Sequence, residues 1–202
     1  MSVIALIDYG AGNLRSVHNA LVAAGAQDVA VTADPDVVAK ADRIVLPGVG
    51  AFAACMNGLS AIDGLVDAME RRVRGEGAPF LGICVGMQLL ADAGEEHGTH
   101  QGLGWIGGTV RAFDPAPGLR IPHMGWNDVT PTGDHAVIAS GEAYFLHGYH
   151  FAETADVAAT SDHGGPFVAA VARDNIVGVQ YHPEKSQAYG LATLERFLNW
   201  RP

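Results

Sequence analysis

Through the first half of the chain, short apolar runs alternate with segments whose apolar positions recur at helical spacing, the pattern of a parallel sheet faced by helices. Residues 3–8 read as a strand and 14–24 as a helix stopped by Gly25. A second strand covers 29–32, after which Asp34 supplies an N-cap and Pro35 the first position of a short helix. A third strand, 43–46, ends in Pro47-Gly48-Val49-Gly50, and a helix spanning 62–73 returns to a buried strand at 80–83. Residues 85–91 follow that strand without a spacer and have helical character. The second half differs. Residues 94–122 are rich in Gly and Pro, which suggests antiparallel strands and loops. Residues 167–173 and 176–180, separated by Asp174-Asn175, form a hairpin pattern, and 190–200 close the chain as an amphipathic helix. The expectation is an α/β fold with a mostly parallel central sheet, flanked by helices and extended by antiparallel strands.

Size narrows this picture to one domain over residues 1–202, because 202 residues at 49% hydrophobic content suffice for one core and are few for two. Twelve Lys and Arg against 22 Asp and Glu give a net charge of −10, which argues against nucleic acid as a partner. No apolar run reaches 18 residues and no basic leader opens the chain, so neither a membrane nor export is expected. Only Cys55 and Cys84 could form a bridge, and a reducing cytoplasm suits them better. Of the nine histidines, His97 and His100 have ligand-like spacing but lie in a Gly-rich loop with no nearby Cys, and His147 and His150 have strand-like apolar neighbours, so no metal and no cofactor is assigned.

Cys84 carries the candidate chemistry. It stands where the buried strand turns into a helix, with Gly82 and Gly86 two residues to either side, the arrangement of a nucleophile elbow. A helix start favours the thiolate, and the N–H of Val85 is placed to donate to an oxyanion. His182-Pro183-Glu184 supplies a base and its orienting carboxylate. Pro183 biases His182 to an extended conformation, in which residues two apart leave on the same side. Residues 8–13, the Gly48-Val49-Gly50 loop and Cys84 all follow carboxyl ends of predicted strands, where open parallel sheets gather ligands. Gly50 is positioned for a second oxyanion N–H, and Gln88 lies one turn beyond Cys84 on the same helix face.

With these residues assembled, the chain resembles the class I, triad-type glutamine amidotransferases, a family of flavodoxin-like fold whose nucleophile lies in a G-x-C-x-G-x-Q elbow and whose base lies in an H-P-E triplet. The resemblance implies Cys84 as nucleophile, His182 as general base and acid, Glu184 as orienting carboxylate, and Gln88, Gly48, Gly50, His147, Gly148 and Tyr149 as glutamine contacts. It implies hydrolysis of the glutamine side-chain amide through a glutamyl thioester. Gly148 departs from the pattern, since the family usually has Ser there. Within the family, the segments 8–17, 46–52, 123–127 and 182–186 are similar to those of glutaminase subunits of imidazole glycerol phosphate synthases. That similarity implies a heterodimer with a separate (β/α)₈-barrel cyclase. The cyclase uses the ammonia to form imidazole glycerol phosphate and the aminoimidazole-carboxamide nucleotide in histidine biosynthesis. Asn13, Met124, Trp126 and Lys185 are expected to face it. A glutaminase that ran freely would waste glutamine, so the chain is expected to be nearly inactive alone, with 48–50 withholding its N–H until the partner binds. A glutaminase for pyridoxal phosphate synthase is a rival that segment 8–17 argues against. A catalytically silent binding protein of the same fold is a second, which the complete triad argues against.

Overall fold

The computed structural model describes residues 2–202. Strand β1 (Val3–Ile7) leads into helix α1 (Leu14–Ala23), which buries Val17, Ala20 and Leu21 at i, i+3 and i+4. Gly25 ends α1 at a φ of 106°; its N–H donates to Val22 O and that of Ala26 to Leu21 O, a Schellman motif. Next come β2 (Asp28–Thr32) and the one-turn α2 (Pro35–Val38), capped by the Asp34 carboxylate on the N–H of Asp36. Strand β3 (Arg43–Gly48) precedes helices α3 (Phe52–Ser60) and α4 (Leu65–Glu70), and α4 continues as a π-turn over Arg71–Gly75. Strand β4 (Phe80–Cys84) passes directly into α5 (Val85–Gln88). Every residue of β3 and β4 is buried, as befits central strands covered on both faces.

The second half contributes β5 (Ala93–Glu95), β6 (Thr99–Gln101), β7 (Thr109–Ala112), β8 (His123–Pro131), β9 (Gly141–His147), β10 (Tyr149–Ala152), β11 (Val157–Asp162), β12 (Pro166–Arg173) and β13 (Ile176–Val179). Helix α6 (Gln187–Asn199) follows. Nine strands form one sheet in the order β2-β1-β3-β4-β13-β12-β11-β8-β9. The pairs from β2 to β13 are parallel and those from β13 to β9 antiparallel. A second sheet, β10-β7-β5-β6, contains one parallel pair, β5 with β7, where antiparallel pairing alone was expected.

Three helices depart from the sequence pattern, two of them for a non-local reason. Helix α3 went unanticipated because Ala51 offers no side-chain cap and the segment is apolar nearly all round. Its cap comes from the Glu96 carboxylate, which accepts from Phe52 N–H at 2.7 Å. The helix expected over 85–91 stops at Gln88, because loop 102–106 claims the next carbonyls: Leu103, Trp105 and Gly104 donate to Leu89, Leu90 and Ala91. The helix expected from 62 begins at Leu65, after Gly64 in the left-handed region.

Candidate active site

Cys84 is the last residue of β4 and the N-cap of α5, with φ 54° and ψ −112°, a conformation that a non-glycine residue holds only where its surroundings enforce it. The two flanking glycines leave room for it. A Cβ on Gly86 would overlap the Leu46 carbonyl oxygen, and one on Gly82 would lie 2.6 Å from Gly86 O. Because α5 is a single turn, the positive end offered to Cys84 is its first N–H groups, which begin at Val85 and have no acceptor within the helix.

Strand register brings the base to the thiol. Ile83 of β4 pairs with Val179 of β13, so His182, three residues past β13, lies across from Cys84. Its backbone N–H donates to Tyr144 O at 2.9 Å, and its carbonyl accepts from Ser186 Oγ at 2.7 Å. His182 Nδ1 donates to Glu184 Oε1 at 2.9 Å, both side chains being buried. Burial pulls His182 toward the neutral form. Its hydrogen bonds to Cys84 and Glu184, and their negative charge, outweigh that and raise it well above the usual histidine range. These partners favour the protonated form of the base beside the sulfur.

Around Cys84 lies a cavity of about 160 Å³, lined by Val49, Gly50, Val85, Gln88, Glu96, Leu146, His147, Gly148, Tyr149, His182 and Lys185. It is smaller than the ~300–1,000 Å³ of drug-sized ligand sites and suits a ligand of amino-acid size. Of the sequence-based candidates, Gly48 does not line it: Gly48 pairs with Cys84 in the sheet and abuts Gly86 and the Tyr9 hydroxyl. Segment 8–13 likewise stays outside and acts from behind, Tyr9 donating to Pro47 O at 2.7 Å. Gly148 has room for a side chain, since an added Cβ would meet only Ile121 and Pro122 at 3.7 and 4.0 Å. Cys55 is buried and unbridged, its thiol donating to Val49 O.

Two residues of the site escaped the sequence. Glu96 lines the cavity from the turn between β5 and β6, far from any motif. Gln180 is fully buried between β13 and His182, its Nε2 donating to Cys84 Sγ at 3.8 Å and its Oε1 accepting from Gln88 Nε2 at 3.0 Å. The alternation Gln180, His182, Glu184 in an extended segment was the available signal for Gln180.

His147 faces the cavity but its ring is committed elsewhere. Nδ1 donates to Tyr149 O at 2.8 Å, so Nε2 accepts from His123 Nδ1 at 3.2 Å, and His123 Nε2 accepts from Asn127 at 3.2 Å. Burial first, then neighbouring histidines, hold His123 and His147 neutral, pulled down to about 4 and about 3. On the opposite face of β8, Met124 and Trp126 are 67% and 47% exposed, which excludes core packing for both. They pair across the hairpin with Leu146 and Tyr144, and Lys185 Nζ sits 5.9 Å above the Tyr144 ring. Asn13 is the exposed N-cap residue of α1 and makes no side-chain cap bond.

Among the described residues no group of three or more His, Cys, Asp or Glu is placed to hold a metal, and no helix is long and apolar enough to cross a membrane.

A family model for glutamine amidotransferase class-I matches residues 5–199. The chain belongs to the class-I glutamine amidotransferases. This amidotransferase is 60% identical over 207 residues to imidazole glycerol phosphate synthase subunit HisH of Zymomonas mobilis, covering 100% of this chain and 97% of that protein. It is 54% identical over 214 residues to the subunit of the same name from Caulobacter vibrioides, covering all of both. Among solved structures, a crystal structure of a glutamine amidotransferase superposes with a TM-score of 0.76 at 19% identity, over 98% of each chain, which attests the shared fold.

Proposed function

We propose that this amidotransferase hydrolyses glutamine at Cys84 and passes the ammonia to a separate cyclase subunit. The observation that carries the proposal is the convergence, in one cavity of amino-acid size, of a thiol on a strained elbow with a buried His182–Glu184 pair. Cys84 Sγ attacks the side-chain amide carbon: the C–S bond forms and the carbonyl π pair moves onto oxygen, toward the N–H groups of Val85 and Gly50. On collapse the C–N bond breaks, and the leaving nitrogen takes a proton from His182, giving ammonia and a glutamyl thioester. Water, deprotonated by His182, then forms a C–O bond while the C–S pair returns to sulfur, releasing glutamate. Glu184 keeps the imidazole in one tautomer throughout. Gln88, Gly148 and Tyr149 contact the ligand around the thiol, while His147 positions the Tyr149 carbonyl. Glu96 accepts the α-ammonium.

The relatives' name, imidazole glycerol phosphate synthase subunit, supports histidine biosynthesis as the destination of the ammonia and a (β/α)₈-barrel cyclase as the partner. The exposed apolar pairs Met124–Leu146 and Trp126–Tyr144 lie beside the cavity, and Asn13 and Lys185 complete the surface proposed for docking. A free thiol as nucleophile suits the cytoplasm. The test is glutamate release with and without the cyclase subunit and its nucleotide. Release is expected to be slow for the isolated chain, to rise steeply in the complex, and to vanish in Cys84→Ala. A Cys84→Ala complex that still hydrolyses glutamine removes the proposal.

A further inference from the structure

The Tyr149 carbonyl can only accept a hydrogen bond, and that fact propagates through two buried amides. Gln88 Nε2 lies 3.0 Å from Tyr149 O, so the Gln88 nitrogen must face it. The second hydrogen of that nitrogen goes to Gln180 at 3.0 Å, so Gln180 must present its oxygen there. Its own Nε2 is thereby turned toward Cys84 Sγ, 3.8 Å away. The direction of every donor along the chain Gln180–Gln88–Tyr149 is fixed by one main-chain oxygen. Apart from His182, Cys84 has a further polar neighbour at similar range, the Leu146 carbonyl at 3.9 Å, which accepts from a thiol and offers nothing to a thiolate. Gln180 is the reverse, since its N–H favours the charged sulfur.

We infer that Gln180 is a further catalytic residue, donating to the Cys84 sulfur in its anionic form and, through its carbonyl, holding Gln88 with its own amide oxygen free for the ligand. The sulfur carries charge before it attacks the amide carbon and again as the C–S bond of the thioester breaks, so one donor serves both steps. The Gln88 oxygen, with both amide hydrogens consumed on the protein side, accepts a hydrogen bond from the ligand. Gln180 makes no such contact itself, being fully buried and outside the cavity lining.

The assignment rests on Cys84 as the attacking thiol, and the experiment separates the two. In the complex with the cyclase subunit, Gln180→Met and Gln88→Met are compared for kcat, KM, thiolate ultraviolet absorbance and the rate at which iodoacetamide alkylates Cys84. Gln180→Met is expected to slow alkylation and lower kcat by about tenfold, the low end for a hydrogen bond to a charged group, and to diminish the thiolate absorbance. Gln88→Met raises KM and, because it only frees the Gln180 amide to turn, slows alkylation less than Gln180→Met does. Gln180→Glu keeps the shape and the acceptor for Gln88. At mildly alkaline pH, where its carboxylate is ionised, it slows alkylation while leaving KM near normal, which covers the case of a Met variant that fails to fold. Alkylation of either Gln180 variant at the unaltered rate overturns the role of Gln180, whereas glutamine hydrolysis by Cys84→Ala overturns the role of Cys84 itself.

Discussion

Glu96 spends one carboxylate oxygen on the first N–H of α3 and lines the cavity from a turn that carries no recognisable motif. A charge-assisted bond from this carboxylate to an α-ammonium is worth about 2 kcal/mol, or roughly 30-fold in affinity. Glu96→Gln keeps the shape and an acceptor for α3 and removes the charge. It is expected to raise KM for glutamine by that factor while kcat changes little; steady-state kinetics in the complex would show it, and an equal loss in both parameters would place Glu96 at the reacting atoms instead. Gly82 and Gly86 illustrate the opposite case. Their need was readable from spacing alone because a sharp elbow demands it locally, as where a Cβ on Gly82 would meet Gly86 and Met87; the structure adds the Leu46 carbonyl of β3 against Gly86. Gln180 was written in the sequence two positions before His182, yet its meaning depended on a partner, Gln88, that lies in another element.

At the scale of elements, the β8–β9 hairpin works on both faces. Outward it presents Met124 and Trp126; inward it carries His123 and Asn127 toward His147. The neutral state of His123 and His147 in the fold has a thermodynamic consequence. Their folded values lie below the ordinary ~6.5 of histidine, so the unfolded chain binds more protons in this range. Stability is therefore complete above ~6.5 and is lost as pH falls through about 4. Denaturant unfolding of His123→Gln, which retains hydrogen-bonding capacity without titrating, is expected to show a shallower acid limb, by about one proton, than the unaltered protein. Equal limbs would mean that His123 is protonated in the fold. The helices teach a related lesson. Periodicity located α1 and α6 because each buries an amphipathic stripe. It overran α5, whose following carbonyls are taken by loop 102–106, and it passed over α3, whose cap arrives from Glu96.

Across the whole molecule, the sheet places the thiol and its base at one end and exposed apolar side chains beside them. Cys84 leaves β4, His182 follows the adjacent β13, and the exposed pairs of β8 and β9 border the same cavity. Trp126→Ala is expected to weaken association with the cyclase subunit by at least about 2 kcal/mol, roughly 30-fold in Kd, the scale of a buried aromatic anchor. Calorimetric titration would measure it, and an unchanged Kd with unchanged coupling removes Trp126 from the interface.

The sequence by itself determined what depends on neighbours along the chain: the parallel first half, the strand-to-helix elbow with its two glycines, the His-Pro-Glu triplet, and thereby a thiol nucleophile with its base, to which the family resemblance added glutamine. Periodicity, turn chemistry and steric demand act over a few residues, so a one-dimensional pattern records them. The tertiary structure alone decided which side chains reach the cavity and which stop short of it. Gly48 and segment 8–13 lie at strand ends, as the ligand contacts do, yet they sit behind the thiol; Glu96 follows no rule of spacing and Gln180 acquires its meaning only from Gln88, yet they frame it. Those outcomes depend on strand order and on hydrogen bonds closed over distances such as the 92 residues between Gln88 and Gln180, where the acceptor for each donor is set by packing.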